Sequence, residues 1–189
     1  MKEKRFAIVF DARKCIDCKA CTVACKAENN VPIGPESYRN WVAEDPVRGT
    51  YPNLGQSFAP SQCNQCGNAP CKKVCPTSAT YTARGGIVMV DAKKCIGCKY
   101  CMLACPYDAR YFNDETKAID KCTFCIQRLA VGRLPACVET CPTKVRVFGD
   151  LNDPKSEVSL LLAKHPHKVL KPELGTDPFL FYINQGGRK

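Results

Sequence analysis

Apolar residues in this chain come in short runs, such as Phe6-Ala7-Ile8-Val9-Phe10 and Leu160-Leu161-Leu162-Ala163, each cut off by polar residues. A bilayer span needs about 20 mostly apolar residues in succession, so no segment is predicted to cross a membrane. Runs this short read instead as small strands, and residues 6–11 predict one. Residues 81–91 place two β-branched stretches around Gly85-Gly86, the pattern of a hairpin whose turn needs positive φ. Residues 110–113 and 117–120 flank Asp114-Glu115-Thr116 and predict a second hairpin. Short helical turns are expected over 22–28 and 102–105.

The pattern repeats. Short β-prone stretches at 78–82, 109–112 and 145–148 each follow a Cys-Pro pair: Cys75-Pro76, Cys105-Pro106 and Cys141-Pro142. Proline lacks an N–H and fixes its own φ, so it turns the chain off the preceding helical turn towards that strand. The first segment of this kind departs, with Lys26 after Cys25 and an exit through Glu28-Asn29-Asn30-Val31-Pro32. From Gly149 onward a polar connector (150–157) leads to a short predicted helix (158–164). Pro172, Gly175 and Pro178 then punctuate an extended tail ending in Phe179-Leu180-Phe181-Tyr182-Ile183. A tail this apolar is expected to pack across a neighbouring subunit or back over its own chain.

The candidate chemistry lies in sixteen cysteines among 189 residues. They stand in four groups of four: Cys15, Cys18, Cys21, Cys25; Cys63, Cys66, Cys71, Cys75; Cys95, Cys98, Cys101, Cys105; and Cys122, Cys125, Cys137, Cys141. Groups one and three read C-x2-C-x2-C-x3-C, the bacterial ferredoxin spacing for iron–sulfur clusters. Cysteines three or four apart converge on one object and cannot all pair with one another, which argues against a disulfide framework. Zinc takes two C-x2-C pairs and has no use for the third cysteine of a C-x2-C-x2-C loop. Four thiolates hold one [4Fe–4S] cluster, so sixteen divide into four.

In the short motif, three cysteines wrap one cluster and the fourth ligates the other cluster of the pair. That crossover groups Cys15, Cys18 and Cys21 with Cys141, and Cys122, Cys125 and Cys137 with Cys25. It also groups Cys63, Cys66 and Cys71 with Cys105, and Cys95, Cys98 and Cys101 with Cys75. A two-cluster lobe opens with a strand before one motif and closes with a strand after the other. Groups one and four are therefore expected to form an outer lobe (1–55 and 115–150). Groups two and three form an inner lobe (56–114) inserted into it, and 151–189 is an extension packing on a lobe or a partner. The expected fold class is α+β, with two ferredoxin-like lobes and an extended C-terminal tail. The longer spacers, 67–70 in group two and 126–136 in group four, are candidate sites of potential tuning or partner contact.

Composition changes the picture in two ways. Aromatic residues make up only 8% and mean hydropathy is −0.25, so the core should be thin. Clusters would then supply the crosslinks, and the apo chain is expected to be unfolded or nearly so. The formal charge of +10 treats every thiol as neutral. Four thiolates on an oxidised cluster leave about −2 per site, which brings the loaded chain to about +2. Lys14, Lys19, Lys26, Lys72, Lys73, Lys94, Lys99 and Lys121 stand near the ligands and are expected to offset that charge. The basic balance reads as internal compensation, and no nucleic-acid partner is expected.

Other residues carry blander expectations. Tyr38, Trp41 and Val42 read as core packing, and Tyr81, Tyr107 and Tyr111 as shields against water. His165 and His167 read as exposed, and no histidine stands near a cysteine group. No nucleophile–base pair, paired carboxylates or phosphate-binding glycine loop accompanies the cysteines, so the chain reads as non-catalytic. The first ten residues lack the apolar core of a secretory signal, and there is no twin-arginine pair.

The order of the four groups, over 15–25, 63–76, 95–106 and 122–142, resembles the iron–sulfur subunit of the molybdopterin oxidoreductase (DMSO reductase) superfamily. Gly49-Thr50-Tyr51-Pro52-Asn53, Lys121-Cys122-Thr123-Phe124-Cys125 and Pro135-Ala136-Cys137-Val138-Glu139-Thr140-Cys141-Pro142 are similar to the electron-transfer chains of polysulfide and thiosulfate reductases in particular. The resemblance implies a complex in which this chain carries electrons between two partners. One is an integral-membrane quinol-binding subunit and the other a molybdopterin catalytic subunit. No aromatic replaces a cysteine in group three, which implies four [4Fe–4S] clusters. Membrane association through a partner follows, with the periplasmic side favoured if that partner carries a signal and a cytoplasmic position left open. Two other readings remain at this point: a free-standing polyferredoxin, and a zinc-stabilised interaction scaffold.

Overall fold

The computed structural model describes residues 3–183; the first two residues of the N-terminal segment and 184–189 of the C-terminal extension lie outside the described residues. Strand β1 (Phe6–Asp11) buries every residue after Phe6 and leads through a 3-10 turn into the first cysteine loop and helix α1 (Ala20–Asn29). β2 (Asn40–Glu44), the exposed hairpin β3 (Arg48–Thr50) and β4 (Asn53–Gly55), and β5 (Phe58–Gln62) follow, with β2 pairing antiparallel to β5. Helix α2 (Pro70–Lys73) precedes hairpin β6 (Thr80–Thr82) and β7 (Val88–Val90). Helix α3 (Tyr100–Leu103) precedes hairpin β8 (Tyr111–Asn113) and β9 (Ala118–Asp120). Both hairpins fall where the pattern predicted them. Gly85 sits at φ +75° in the first turn, and a Cβ there would overlap the ring of Phe6.

Helices α4 (Ile126–Ala130) and α5 (Ala136–Glu139) carry the fourth group into β10 (Arg146–Asp150). Helix α6 (Glu157–Lys164) follows, then β11 (His167–Lys168) and β12 (Leu180–Ile183). Ser156 caps α6 by accepting the Ser159 N–H, with Glu157 in the first turn and Lys164 in the last, where each suits the helix dipole.

The main sheet has the order β10-β1-β12-β11, with β1 antiparallel to β10 and parallel to β12. Side chains alternate across it. Ile8, Phe10, Phe148, Leu180 and Tyr182 face a core that also takes in Cys63, Ile87, Ala109, Cys122 and Phe124. Val9, Val147 and Ile183 face the other way, onto Val158 of α6. The first core draws residues from every cysteine group except the first, and a separate cluster around Cys71 and Cys101 joins groups two and three. Helix α1 packs on α5 and α2 on α3, which joins the first group to the fourth and the second to the third.

One expectation needs correction here, the shielding role of Tyr81. The strand before group two, β5, pairs with β2, a strand that the sequence showed only as an aromatic patch. Trp41 in it packs against the main core, edge-on to Tyr38 at 5.1 Å. Tyr81 is 42% exposed and shields nothing, whereas Tyr111 is buried and Tyr107 half-buried. The apolar tail packs back over its own chain, one of the two placements expected, with β12 inserted beside β1. His167 is exposed, as expected, and meets Phe181 edge-on. Among the described residues no helix is long and apolar enough to cross a membrane.

The seam between the sheet and α6 is tight. A Cβ on Gly149 would lie 2.9 Å from Cγ2 of the fully buried, β-branched Val158. Gly149→Ala is expected to destabilise the loaded protein by about 1–3 kcal/mol through overpacking, read as a lower urea midpoint with unchanged iron content.

Candidate metal centres

All sixteen cysteines are free thiols. Three of the four quartets selected by spacing each line one small pocket. Cys25, Cys122, Cys125 and Cys137 line the first; Cys75, Cys95, Cys98 and Cys101 the second; Cys63, Cys66, Cys71 and Cys105 the third. In the remaining quartet, Cys15 and Cys21 lie within electrostatic reach of each other and of Arg146, Cys18 is exposed, and Cys141 accepts an N–H from Val145 at 3.3 Å.

Backbone conformation explains how short loops turn successive thiols inward. The second residue after the first cysteine is left-handed in all four groups: Asp17, Gln65, Gly97 and Phe124. The third residue after the last cysteine is left-handed in groups two, three and four: Ser78, Asp108 and Lys144. These turns bring N–H groups onto sulfur. Thr80 N donates to Cys75 Sγ and Phe124 N to Cys122 Sγ, both at 3.5 Å, and Ile119 N donates to Cys95 Sγ at 3.5 Å. Asn29 Nδ2 adds donations to Cys25 and Cys125 at 3.6 Å.

The donor set fits a polyatomic cluster and not a single ion. Zinc bonded at about 2.3 Å would draw four sulfurs tightly round one point. Among the described residues no three His, Cys, Asp or Glu side chains gather closely enough for a lone metal ion. Burial pushes the Cys25 and Cys66 thiols up to about 12, and Cys137 to about 11, with neighbouring thiols adding to the effect. Such thiols are neutral in an empty fold, so uptake of a cationic core must release protons.

Buried cations face the thiols. Arg110 is 3% exposed and donates to Cys71 Sγ at 2.9 Å; Arg146 is 2% exposed and donates to Cys21 Sγ at 3.5 Å. Burial alone would pull the Arg146 pKa down, but the Cys137 and Cys21 sulfurs beside it hold it above its ordinary value. Arg110 behaves likewise, with Cys71 foremost among its sulfur neighbours. Lys121 is 1% exposed and donates to the carbonyls of Val88 and, at 2.6 Å, Cys122. Arg39, in contrast, is ion-paired with Asp120 at 2.9 Å.

Of the eight lysines expected to offset cluster charge, only Lys121 is buried; Lys14, Lys72, Lys73, Lys94 and Lys99 are exposed, and Lys19 and Lys26 are half-buried. The arginines take that place instead. The signal was available in the sequence: Arg110 and Arg146 each stand five residues after the last cysteine of a Cys-Pro group.

Two families, each described as a 4Fe-4S dicluster domain, match residues 54–151 and 14–79. The chain is 48% identical over 182 residues to the B component of tetrathionate reductase from Salmonella typhimurium, covering 95% of this chain and 72% of the relative. It is 44% identical over 181 residues to the B component of polysulfide reductase from Wolinella succinogenes, covering 95% and 94%. It is 43% identical over 208 residues to a putative dimethyl sulfoxide reductase iron-sulfur subunit of Halobacterium salinarum, covering 95% and 79%. With thiol-lined pockets, left-handed cysteine loops and these matches together, this protein belongs to the 4Fe-4S dicluster family, among the iron–sulfur electron-transfer subunits of reductase complexes.

Proposed function

We propose that this chain holds four [4Fe–4S] clusters in two nested ferredoxin-like lobes and carries electrons between a quinol-oxidising membrane subunit and a molybdopterin catalytic subunit. The complex would be of the polysulfide or thiosulfate reductase kind. The ligand sets are Cys15, Cys18, Cys21 and Cys141; Cys25, Cys122, Cys125 and Cys137; Cys63, Cys66, Cys71 and Cys105; and Cys75, Cys95, Cys98 and Cys101. The observation that carries this reading is that three of those quartets, chosen from the sequence, each converge on the lining of one pocket. Further support comes from contacts joining α1 to α5 and α2 to α3, the pairing that nested lobes require.

When bound, the clusters supply one-electron acceptor sites. The chain's own part is to hold and bias those sites. Thiols bind, N–H and amide groups donate to sulfur, and buried side chains exclude water. The middle of the path is closely built: the Cys63 and Cys122 sulfurs lie within electrostatic reach of each other, and Gln62 Nε2 donates to Cys122 Sγ at 3.6 Å. The partner subunit would hold the chain at the membrane, on the periplasmic side where that partner carries an export signal.

Anaerobically purified chain is expected to contain about sixteen iron and sixteen acid-labile sulfide, four of each per cluster. A pterin-bearing subunit should co-purify from the native source. Zinc without sulfide would defeat the reading, and full iron with no pterin partner would favour a free-standing polyferredoxin.

A further inference from the structure

Arg110 and Arg146 hold one position in two copies of a motif, Cys105-Pro106-Tyr107-Asp108-Ala109-Arg110 and Cys141-Pro142-Thr143-Lys144-Val145-Arg146. In both, the left-handed residue (Asp108, Lys144) turns the chain so that the arginine lies beneath the cysteine loops. Arg146 donates to Cys21 Sγ and lies in the field of Cys137; Arg110 donates to Cys71 Sγ and lies in the field of Cys101. Each of these is the third cysteine of its group. In the ligand sets above, the third cysteines of paired groups belong to different clusters of one lobe. Each guanidinium therefore stands between the two clusters of its lobe.

Neither arginine forms an ion pair with a carboxylate among the described residues. Their other partners are neutral. Arg146 Nη1 donates to Gln62 Oε1 at 2.7 Å and its guanidinium lies 4.8 Å from the Phe10 ring; Arg110 Nη1 donates to Thr80 Oγ1 at 3.3 Å. These contacts fix the guanidinium without cancelling its charge. Arginine keeps its proton at any working pH, and burial weakens solvent screening of its field. A fixed positive charge between two redox sites stabilises the electron-rich state of both.

We propose that Arg146 and Arg110 are the potential-setting residues of this chain, each raising the reduction potentials of the two clusters in its own lobe. The proposal rests on the ligand sets given under the proposed function. Arg146→Gln and Arg110→Gln, with the corresponding lysine variants, test it in the full-length chain purified anaerobically. The readouts are iron and sulfide content and redox titration followed by low-temperature paramagnetic resonance.

Arg146→Gln is expected to lower two of the four potentials, by tenfold or more in the reduced-to-oxidised ratio (about 59 mV for one electron). Arg110→Gln is expected to lower the other two, and the lysine variants, which keep the charge, to stay within that tenfold. Unmoved potentials in both glutamine variants, a shift shared by all four centres, or equal shifts for lysine and glutamine would each overturn the proposal. Should a glutamine variant fail to take up iron, Gln62→Glu sets a carboxylate on Arg146 without removing it. That variant is expected to lower the same pair as Arg146→Gln, and wild-type values there would also overturn the assignment. Fewer than sixteen iron in the unmutated chain would overturn the ligand sets and this proposal together; full iron with unmoved potentials would overturn the charge assignment alone.

Discussion

Stripping the iron with a chelator under anaerobic, reducing conditions is expected to unfold the chain. Of the 32 buried apolar positions among the described residues, eight are cysteine and eight alanine, and such small side chains remove little apolar area from water. Helices α2, α3 and α5 have four residues each, too few to persist without tertiary support. Structural zinc sites in finger peptides contribute on the order of 10–16 kcal/mol each, against a net stability of about 5–15 kcal/mol for a whole domain, and a multi-thiolate cluster constrains the chain in the same way. Losing several such sites exceeds what the apolar core can replace. The buried arginines deepen the loss, since neutral thiols leave Arg110 and Arg146 as uncompensated buried charges. Circular dichroism and amide exchange should show lost tertiary structure and protection in step with lost iron. A cooperative urea transition in the iron-free chain would show that the side-chain core suffices by itself.

The sequence made the chemistry legible and part of the long-range pairing with it, since the strand before group one does pair with the strand after group four. Cysteine spacing indicated quartets that draw on distant groups, and three of them meet in space because the C-x2-C loop and the Cys-Pro exit are local conformations. Hairpins at Gly85-Gly86 and Asp114-Glu115-Thr116 were equally local. The lysines misled because adjacency to a cysteine in sequence is not adjacency to its sulfur. A loop that turns its thiols inward turns many of their neighbours to solvent, and the charge contacting sulfur arrives from the strand beyond. The pairing of β2 with β5 was invisible for another reason. It joins residues 14 to 22 apart across an exposed hairpin, and the segment's one conspicuous feature was aromatic. Likewise nothing in 180–183 named β1 as its partner, although the alternation of Leu180 and Tyr182 against Phe181 and Ile183 matches the two faces it now covers.

Removal of β12 is expected to destabilise the fold sharply and to open one proposed metal site. This strand lies inside the main sheet, registered Ile8 to Leu180 and Phe10 to Tyr182. Tyr182 is fully buried, its ring 5.2 Å from that of Phe10 and its hydroxyl donating to the Pro60 carbonyl at 3.0 Å. By analogy with other large aromatics, Tyr182→Ala should destabilise by about 3–5 kcal/mol. Tyr182→Phe leaves the Pro60 carbonyl without that donor and should cost about 1–3 kcal/mol. The stretch before β12 is clasped to the second cysteine loop: Gly67 N donates to the Asp177 carbonyl at 2.8 Å, Asn68 N to that of Thr176 at 3.1 Å, and Phe179 N to that of Asn64 at 2.9 Å. Buried Thr176 shares a 2.5 Å hydrogen bond with Tyr107. Ending the chain at Gly175 is therefore expected to lower the urea midpoint sharply and to speed iron loss first from the proposed site of Cys63, Cys66, Cys71 and Cys105. A truncated chain that matched the full one in midpoint and in chelation rate would mean that the tail covers this loop without supporting it.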